Sequence, residues 1–469
     1  MTASPHADLA YLSLTELARR LTSREISAVA LTEAFYARIE ALDGRLKSYQ
    51  RLMVDSALAE AGAADAAFAR GEVKGPLQGI PVAVKDLCDT AGVVTAGGMA
   101  WYADRTPTQD CTVVARLRDA GAVVLGKLTM TQGAMSQHRL TPPPLNPWTA
   151  GDAPMWAGSS SSGSGVAAAA GLCVASIGSD TGGSIRFPAL CNGVSGIKPT
   201  WGRVSRAGVL PLASSLDHVG PLSRGIDASA AVLQAIAGYD SADTTSLSAP
   251  VPDFFASLGQ GIEGLTIGYD PKFCTEGVHA EVVAGVEGAI ETLKGLGAQL
   301  REIRLPPGDV GTDWIAICSP ETALAHAQTY DANRETYGSA LSLLIEEGRR
   351  MSAEDCADAN LRRLAYRGAV LHLFRDLDLI IMPLMAEPTP EASAFEDAEP
   401  SLELFAGFLT FSAPAPLTGS PALQLPCGFD SRGLPQGFQL MAAPKQEETL
   451  FRAGGAWQQA TDWHEKRPI

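Results

Sequence analysis

Residues Gly158 to Arg186 read GSSSSGSGVAAAAGLCVASIGSDTGGSIR, and this stretch holds two small-residue turns that each present a serine. In the second turn, Ser179-Asp180-Thr181-Gly182-Gly183-Ser184 follows the apolar run Cys173-Val174-Ala175-Ser176-Ile177 and precedes Ile185-Arg186-Phe187, the pattern of a strand-to-helix turn. Adjacent glycines let the backbone there aim several N–H groups at one point, a place for an oxyanion. A serine at the end of such a nest, near a helix N-terminus, joins a nucleophilic oxygen to donors that stabilise a tetrahedral intermediate. The chemistry this pattern serves is acyl transfer.

Such a serine needs a base at neutral pH. The seven histidines are scattered, and His218, in Ser215-Leu216-Asp217-His218-Val219-Gly220, lies near the serine-rich region, after it in the chain. Its aspartate neighbour does not make it a triad member, because triad groups meet in space and in varied chain order. A lysine does the same work when burial depresses its pKa. Lys85 ends the apolar run Gly79-Ile80-Pro81-Val82-Ala83-Val84, which reads as a buried strand, although a lysine at a strand end can also reach solvent. Lys198, in Gly196-Ile197-Lys198-Pro199-Thr200, is a rival on composition. The residue pattern alone leaves the base open.

Four ordered blocks, GIPVAVKD, the serine-rich turn, GSDTGGSIRFPA and NGVSGIKPTWGRVSRAGVLPLASSLDHVGPLSR, together resemble the amidase signature hydrolases. The similar core runs from about residue 76 to 225. Weaker similarity extends to the helical Ser13 to Ala69 and to Leu417-Thr418-Gly419-Ser420-Pro421-Ala422 and Gly433-Leu434-Pro435-Gln436-Gly437-Phe438-Gln439. The resemblance implies a Ser-Ser-Lys triad, with Ser184 as nucleophile, Ser160 as bridging serine and Lys85 as base. Lys198 then becomes a scaffold residue, His218 structural or pocket-lining, and Asp180 with Arg186 an internal ion pair that fixes the turn. Ser159, Ser161 and Ser162 would satisfy backbone groups. Where the family often has Gly-Gly-Ser, this chain has Ser159 before the bridging serine; the peptide there is cis in the family, and Ser159 permits that geometry.

In the implied mechanism neutral Lys85 accepts a proton from Ser160 while Ser160 accepts one from Ser184, which attacks the carbonyl. The backbone N–H groups of Thr181, Gly182, Gly183 and Ser184 are expected to hold the oxyanion. Water then releases the acid. No cofactor is called for, and the chain has no His-x-x-x-His or Cys-x-x-Cys pair to mark a metal site.

The elements that must position these groups read as an α/β fold, a mixed or mainly parallel central sheet covered by helices on both faces. Ser13-Leu14-Thr15-Glu16 fits a capping box, and helical periodicity continues over Ala28 to Leu42 and Met53 to Phe68. Strand-like runs at Val123-Val124-Leu125 and Leu265-Thr266-Ile267-Gly268 alternate with helical segments such as Ala280 to Leu296. The 469 residues, 46% of them hydrophobic, are expected to form one elaborated domain over 1–469, with the C-terminal blocks returning to the same sheet. Pro383 to Pro400 is the expected long surface loop.

A net charge of −16, from 36 basic and 52 acidic residues, argues against nucleic acid and anionic membranes as partners. Met1 to His6 lacks the charged and apolar regions of a secretory signal, and no apolar run of about 18 residues appears. Eight widely spaced cysteines suit reduced thiols in the cytoplasm. A small-molecule substrate and a monomer or homodimer are expected.

Met130 to Trp156 is rich in Met, Pro and Trp, so Met130, Met135, Met155 and Trp156, together with Trp148, are expected to line an apolar pocket, unless they pack as ordinary core. Phe405 to Phe411 would supply a second wall or lid. These features favour a stand-alone hydrolase of small amides, anilides or carbamates. The alternatives are a glutamine-hydrolysing component of a tRNA-dependent amidotransferase and a silent binding protein, the last disfavoured by the filled triad positions.

Overall fold

The computed structural model describes residues 9–148, 153–397 and 399–468. The segment Met1 to His6, read above for a secretory signal, lies outside the described residues, as does part of the stretch between Trp148 and Met155. Among the described residues eleven strands form one sheet: β1 (Tyr49–Leu52), β2 (Pro81–Lys85), β3 (Val123–Leu128), β4 (Ala175–Asp180), β5 (Ser195–Lys198), β6 (His218–Ser223), β7 (Thr266–Tyr269), β8 (Gln299–Glu302), β9 (Leu379–Met382), β10 (Ala422–Phe429) and β11 (Pro435–Ala442). Their order is β1-β3-β2-β4-β6-β5-β10-β11-β9-β7-β8.

The architecture is α/β with a large mixed sheet flanked by helices. Parallel pairing joins β2 to β3 and β4, and β7 to β8 and β9; the other pairs are antiparallel, so the sheet is not mainly parallel. The central strands β2, β3, β4, β5 and β6 are buried at every position, which is why they read as apolar runs without alternation. The C-terminal β10 and β11 insert between β5 and β9, as expected of blocks that return to the sheet. Asp430 to Gly433 closes that hairpin, with Gly433 at φ +81°, a conformation glycine adopts without strain.

Helices fall close to the sequence reading, at Ala28–Leu46, Val54–Ala69 and Ala280–Gly295. Ser13 caps the helix Leu14–Thr22 by accepting from Glu16 N–H, but the reciprocal half of the capping box does not form. Glu16 instead pairs with Arg19 and Arg20, the stronger partners for a carboxylate. Pro383 to Pro400 is not simply a surface loop. Pro383, Leu384 and Met385 are buried, and the short helix Ser393–Glu396 packs toward the catalytic turns. No helix among the described residues is long and apolar enough to cross a membrane.

Candidate active site

Strand β2 carries Lys85 to its buried end, beside the start of the turn that follows β4. Lys85 is fully buried, and its Nζ donates to Ser160 Oγ at 2.6 Å and to Ser179 Oγ at 2.8 Å. Burial pulls its pKa from 10.5 down to about 7, against the opposing influence of Cys88, Asp180 and Asp217. Near neutral pH a large share of this amine is uncharged, and its lone pair then accepts from a serine hydroxyl.

The Ser159–Ser160 peptide is cis. Thr131 N–H donates to Ser160 O, and Ser161 N–H donates to Ser184 O, each at 3.3 Å, so the two serine turns are tied directly. Ser161 also satisfies backbone groups as expected, donating from Oγ to Ser179 O and accepting from Ser179 N–H. Ser162 departs from that role, because its hydroxyl meets a ring nitrogen of His138.

Asp180 shapes the turn after β4. Its carboxylate accepts from Gly183 N–H at 2.8 Å, from Ile185 N–H at 3.3 Å, and from Arg186 Nε and Nη2 at 2.9 and 3.0 Å. Burial alone would push its pKa up, but the Arg186 guanidinium holds it down at about 2. Arg186 is anchored in turn by Gln439 Oε1 on β11 and by the carbonyl of Ser412. The expected internal ion pair is present, and it has a consequence for the oxyanion nest: the Gly183 N–H is already committed to Asp180, so Gly183 leaves the expected set of four donors. The N–H groups of Thr181, Gly182 and Ser184 have no protein acceptor among the described residues. Thr181 is held by Asp217, which accepts from its hydroxyl at 2.6 Å, and by Trp314, whose Nε1–H donates to Thr181 O at 2.8 Å.

Ser184 is half-buried and opens on a cleft of about 500 Å³, counting its open mouth. Met135, Phe187, Trp314, Phe395, Phe405, Phe408 and Leu409 supply its apolar walls, with Ser159, Thr181 and Gly182 beside the nucleophile position. Ser184 Oγ makes no hydrogen bond to protein among the described residues. No hydrogen bond joins Ser160 Oγ to Ser184 Oγ among the described residues.

Of the expected wall residues, Met135 lines the cleft and Phe405, Phe408 and Leu409 form the second wall. Met130 and Met155 do not; both are buried in packing, Met155 in a strand-like bridge to Glu391. Trp156 stands behind the wall, its ring stacked on Phe395 at 4.2 Å and close to Phe187 and Phe408. Trp148 turns elsewhere, against Phe429 and the Asn192 carbonyl. Trp314 and Phe395 escape sequence reasoning because loops and helices far along the chain deliver them, with no local signal. Phe187 sits inside the GSDTGGSIRFPA block and is recoverable as the first aromatic after the turn.

Lys198 is buried and donates to Pro199 O at 3.0 Å, with no bond to either serine among the described residues. His218 directs Nδ1 at the carbonyls of Asp180 and Leu216 and, with Ser179 and Asp217, lines a second chamber that adjoins the cleft through Ala134, Thr181 and Leu212; burial keeps it well below the usual histidine pKa. Among the described residues no group of three or more His, Cys, Asp or Glu side chains gathers at metal-binding distance.

This constellation, on this sheet, is that of an enzyme acting on C–N bonds. The profile of the family described as Amidase matches residues 30–451, and the chain belongs to that family, the amidase signature enzymes. A protein of Mycobacterium tuberculosis provisionally named amidase AmiD is 42% identical over 463 residues, covering 97% of this chain and 96% of that one. A glutamyl-tRNA(Gln) amidotransferase component of Moorella thermoacetica is 39% identical over 488 residues, covering 98% and 99%. A solved structure, described as a vestigial protein complex that reveals the evolutionary origins of an s-triazine catabolic enzyme, superposes with a TM-score of 0.88 at 32% identity, covering 96% and 98% of the two chains.

Proposed function

We propose that this chain, as a single domain, hydrolyses small amides, anilides or carbamates that carry an apolar aryl group. Ser184 attacks the carbonyl, Ser160 relays its proton, and Lys85 receives it. The N–H groups of Thr181, Gly182 and Ser184 hold the oxyanion, each donor contributing about 3–4 kcal/mol in comparable sites. The proton returns through the same path to the leaving amine. Water then attacks the acyl-enzyme ester, releasing Ser184 and a carboxylic acid; a carbamate that has lost its amine gives a carbonic acid half-ester, which breaks down to carbon dioxide and an alcohol.

The observation that carries this reading is a buried lysine with a pKa near 7, bonded to Ser160 and adjacent to a cleft where Ser184 faces aromatic walls. Burying apolar surface in that cleft favours an aryl group by roughly 25 cal/mol per Å². The amidotransferase components among the relatives favour a second reading, free glutamine as substrate. No charged side chain lines the cleft among the described residues, and in the adjoining chamber Arg206 pairs with Asp243 and Asp217 accepts from Thr181, whereas glutamine's ammonium and carboxylate would each need a partner of their own.

The test is hydrolysis of an anilide, an alkyl aryl carbamate and glutamine by the purified chain without ATP, RNA or partner proteins. The aryl substrates are expected to turn over fastest, and a sulfonyl fluoride should label the peptide containing Gly182-Gly183-Ser184. Preference for glutamine, or activity only with added partner proteins, would replace this reading with the amidotransferase one.

A further inference from the structure

His138 joins the wall of the cleft to the catalytic turn. Its Nδ1 lies 2.6 Å from Glu396 Oε1, its own backbone N–H donates to Glu396 Oε2 at 3.0 Å, and its Nε2 lies 2.8 Å from Ser162 Oγ. Glu396 ends the short helix Ser393–Glu396, next to Phe395, which lines the cleft and stacks on Trp156. Ser162 begins the helix Ser162–Ala169, two residues after Ser160. One imidazole therefore spans the segment that holds an aromatic wall and the segment that holds the relay serine.

The neutral ring satisfies both ends at once, Nδ1–H donating to the carboxylate and Nε2 accepting from the hydroxyl. The order serine, histidine, carboxylate is that of a hydrolytic triad, but Ser162 is fully buried and does not line the cleft. Without access to a carbonyl carbon, the three groups can act only on position. At its other end the wall segment is already tied to the chain before the serine turn, by Trp156 N–H donating to Pro390 O and by Ala392 N–H donating to Pro154 O. His138, beside a longer bond from Gln137 Nε2 to Glu396 O at 3.5 Å, supplies the attachment at this end, and its two bonds to the Glu396 carboxylate restrain the angle of the adjacent Phe395 ring.

We propose that His138, through Glu396 and Ser162, is a positioning residue that holds the Phe395 wall in register with the catalytic turn and so sets the preference for aryl over small alkyl groups. This deepens the reading of the cleft as an aryl site and rests on it.

The experiment compares inactivation of the whole protein by phenylmethanesulfonyl fluoride and by methanesulfonyl fluoride, with the labelled peptide identified by mass. In the wild type both reagents should modify Ser184, the aryl reagent faster. Glu396→Ala and His138→Ala should each lower the aryl-to-methyl rate ratio about five-fold, the scale of one lost aromatic contact, with the methyl rate within about two-fold. The double variant should fall no further than Glu396→Ala, which already removes both the ring bond and the backbone bond from His138. Glu396→Gln, which keeps an acceptor for Nδ1–H, should retain most of the ratio. Should His138→Ala fail to fold, the two Glu396 variants decide the matter. Labelled Ser184 with an unchanged ratio in Glu396→Ala, or additive losses in the double variant, overturns the clamp alone. Labelling of Ser162 overturns it by giving these groups a nucleophilic role. Absence of label on Ser184 in the wild type overturns the functional reading and the clamp with it.

Discussion

Replacing Lys85 by Met should make this protein more stable and inactive at once. The two side chains have similar length and shape, so the change removes the charge and the hydrogen bonds with little change in packing. Burial moves the Lys85 pKa from 10.5 to about 7, which corresponds to about 5 kcal/mol of preference for the neutral amine. Two hydrogen bonds, to Ser160 and Ser179, are lost in exchange, at roughly 1 kcal/mol each. The net is a gain of about 2–3 kcal/mol at pH 7. Because the folded-state pKa is depressed, the unfolded chain binds the extra proton between pH 7 and 10.5, so wild-type stability rises with pH through that window. The advantage of Lys85→Met is full below pH 7 and fades toward 10.5. Activity moves the other way. Wild-type kcat/KM should climb about ten-fold per pH unit below the Lys85 pKa and level off above it, while the variant should lose roughly two to four orders of magnitude in turnover at every pH. Urea denaturation at pH 7 and near pH 10, paired with anilide hydrolysis across the same range, measures both. A variant less stable than wild type at pH 7, or one that keeps near-native turnover, would refute the buried-base argument.

Asp180→Asn leaves the Arg186 guanidinium buried without its counter-charge and should cost about 3–5 kcal/mol, read as a lower thermal midpoint. A Cβ at Gly182 would meet Trp314 at 2.9 Å and Leu409 at 3.0 Å, so Gly182→Ala should crowd the cleft and raise KM for aryl substrates while circular dichroism stays unchanged. At Gly183, with φ +130°, a Cβ would lie 2.3 Å from Phe187, and Gly183→Ala should abolish turnover by displacing the catalytic turn; near-native kcat would contradict the geometry. Phe408→Ala removes one wall and its ring contacts with Phe187 and Phe395, and should cost about 1 kcal/mol in stability together with a rise in KM for anilides, both measurable on one preparation.

The chemistry was legible where it is local. A strand, two glycines and a serine in series suggest an oxyanion turn because each residue type has a backbone reason to be there, whereas the pairing of Asp180 with Arg186 came from the resemblance. Lys85 was legible only through the resemblance, since a lysine at a strand end says nothing about whether the end is covered. The pocket was least legible. Met130 and Met135 have the same composition and lie five residues apart, yet only the second faces the cleft, and that depends on which way an irregular loop turns. Pro383 to Pro400 misled for a related reason: prolines and alanines mark a chain without regular hydrogen bonding, and such a chain can lie under other elements as well as over them. The strand order, with β10 and β11 between β5 and β9, follows from pairings too distant in sequence for periodicity to report.

The anchoring of Arg186 by Gln439 and the Ser412 carbonyl bears on when the molecule becomes competent during synthesis. A ribosome delivers Lys85, Ser160 and Ser184 while more than half of the chain is still unmade. Until β11 emerges and pairs, Arg186 lacks its Gln439 partner, so one of the restraints on the turn that presents Ser184 comes from a strand 253 residues further along the chain. A chain cut short of β11 would therefore carry Ser184 on a turn whose Arg186 has lost one of its two distant anchors.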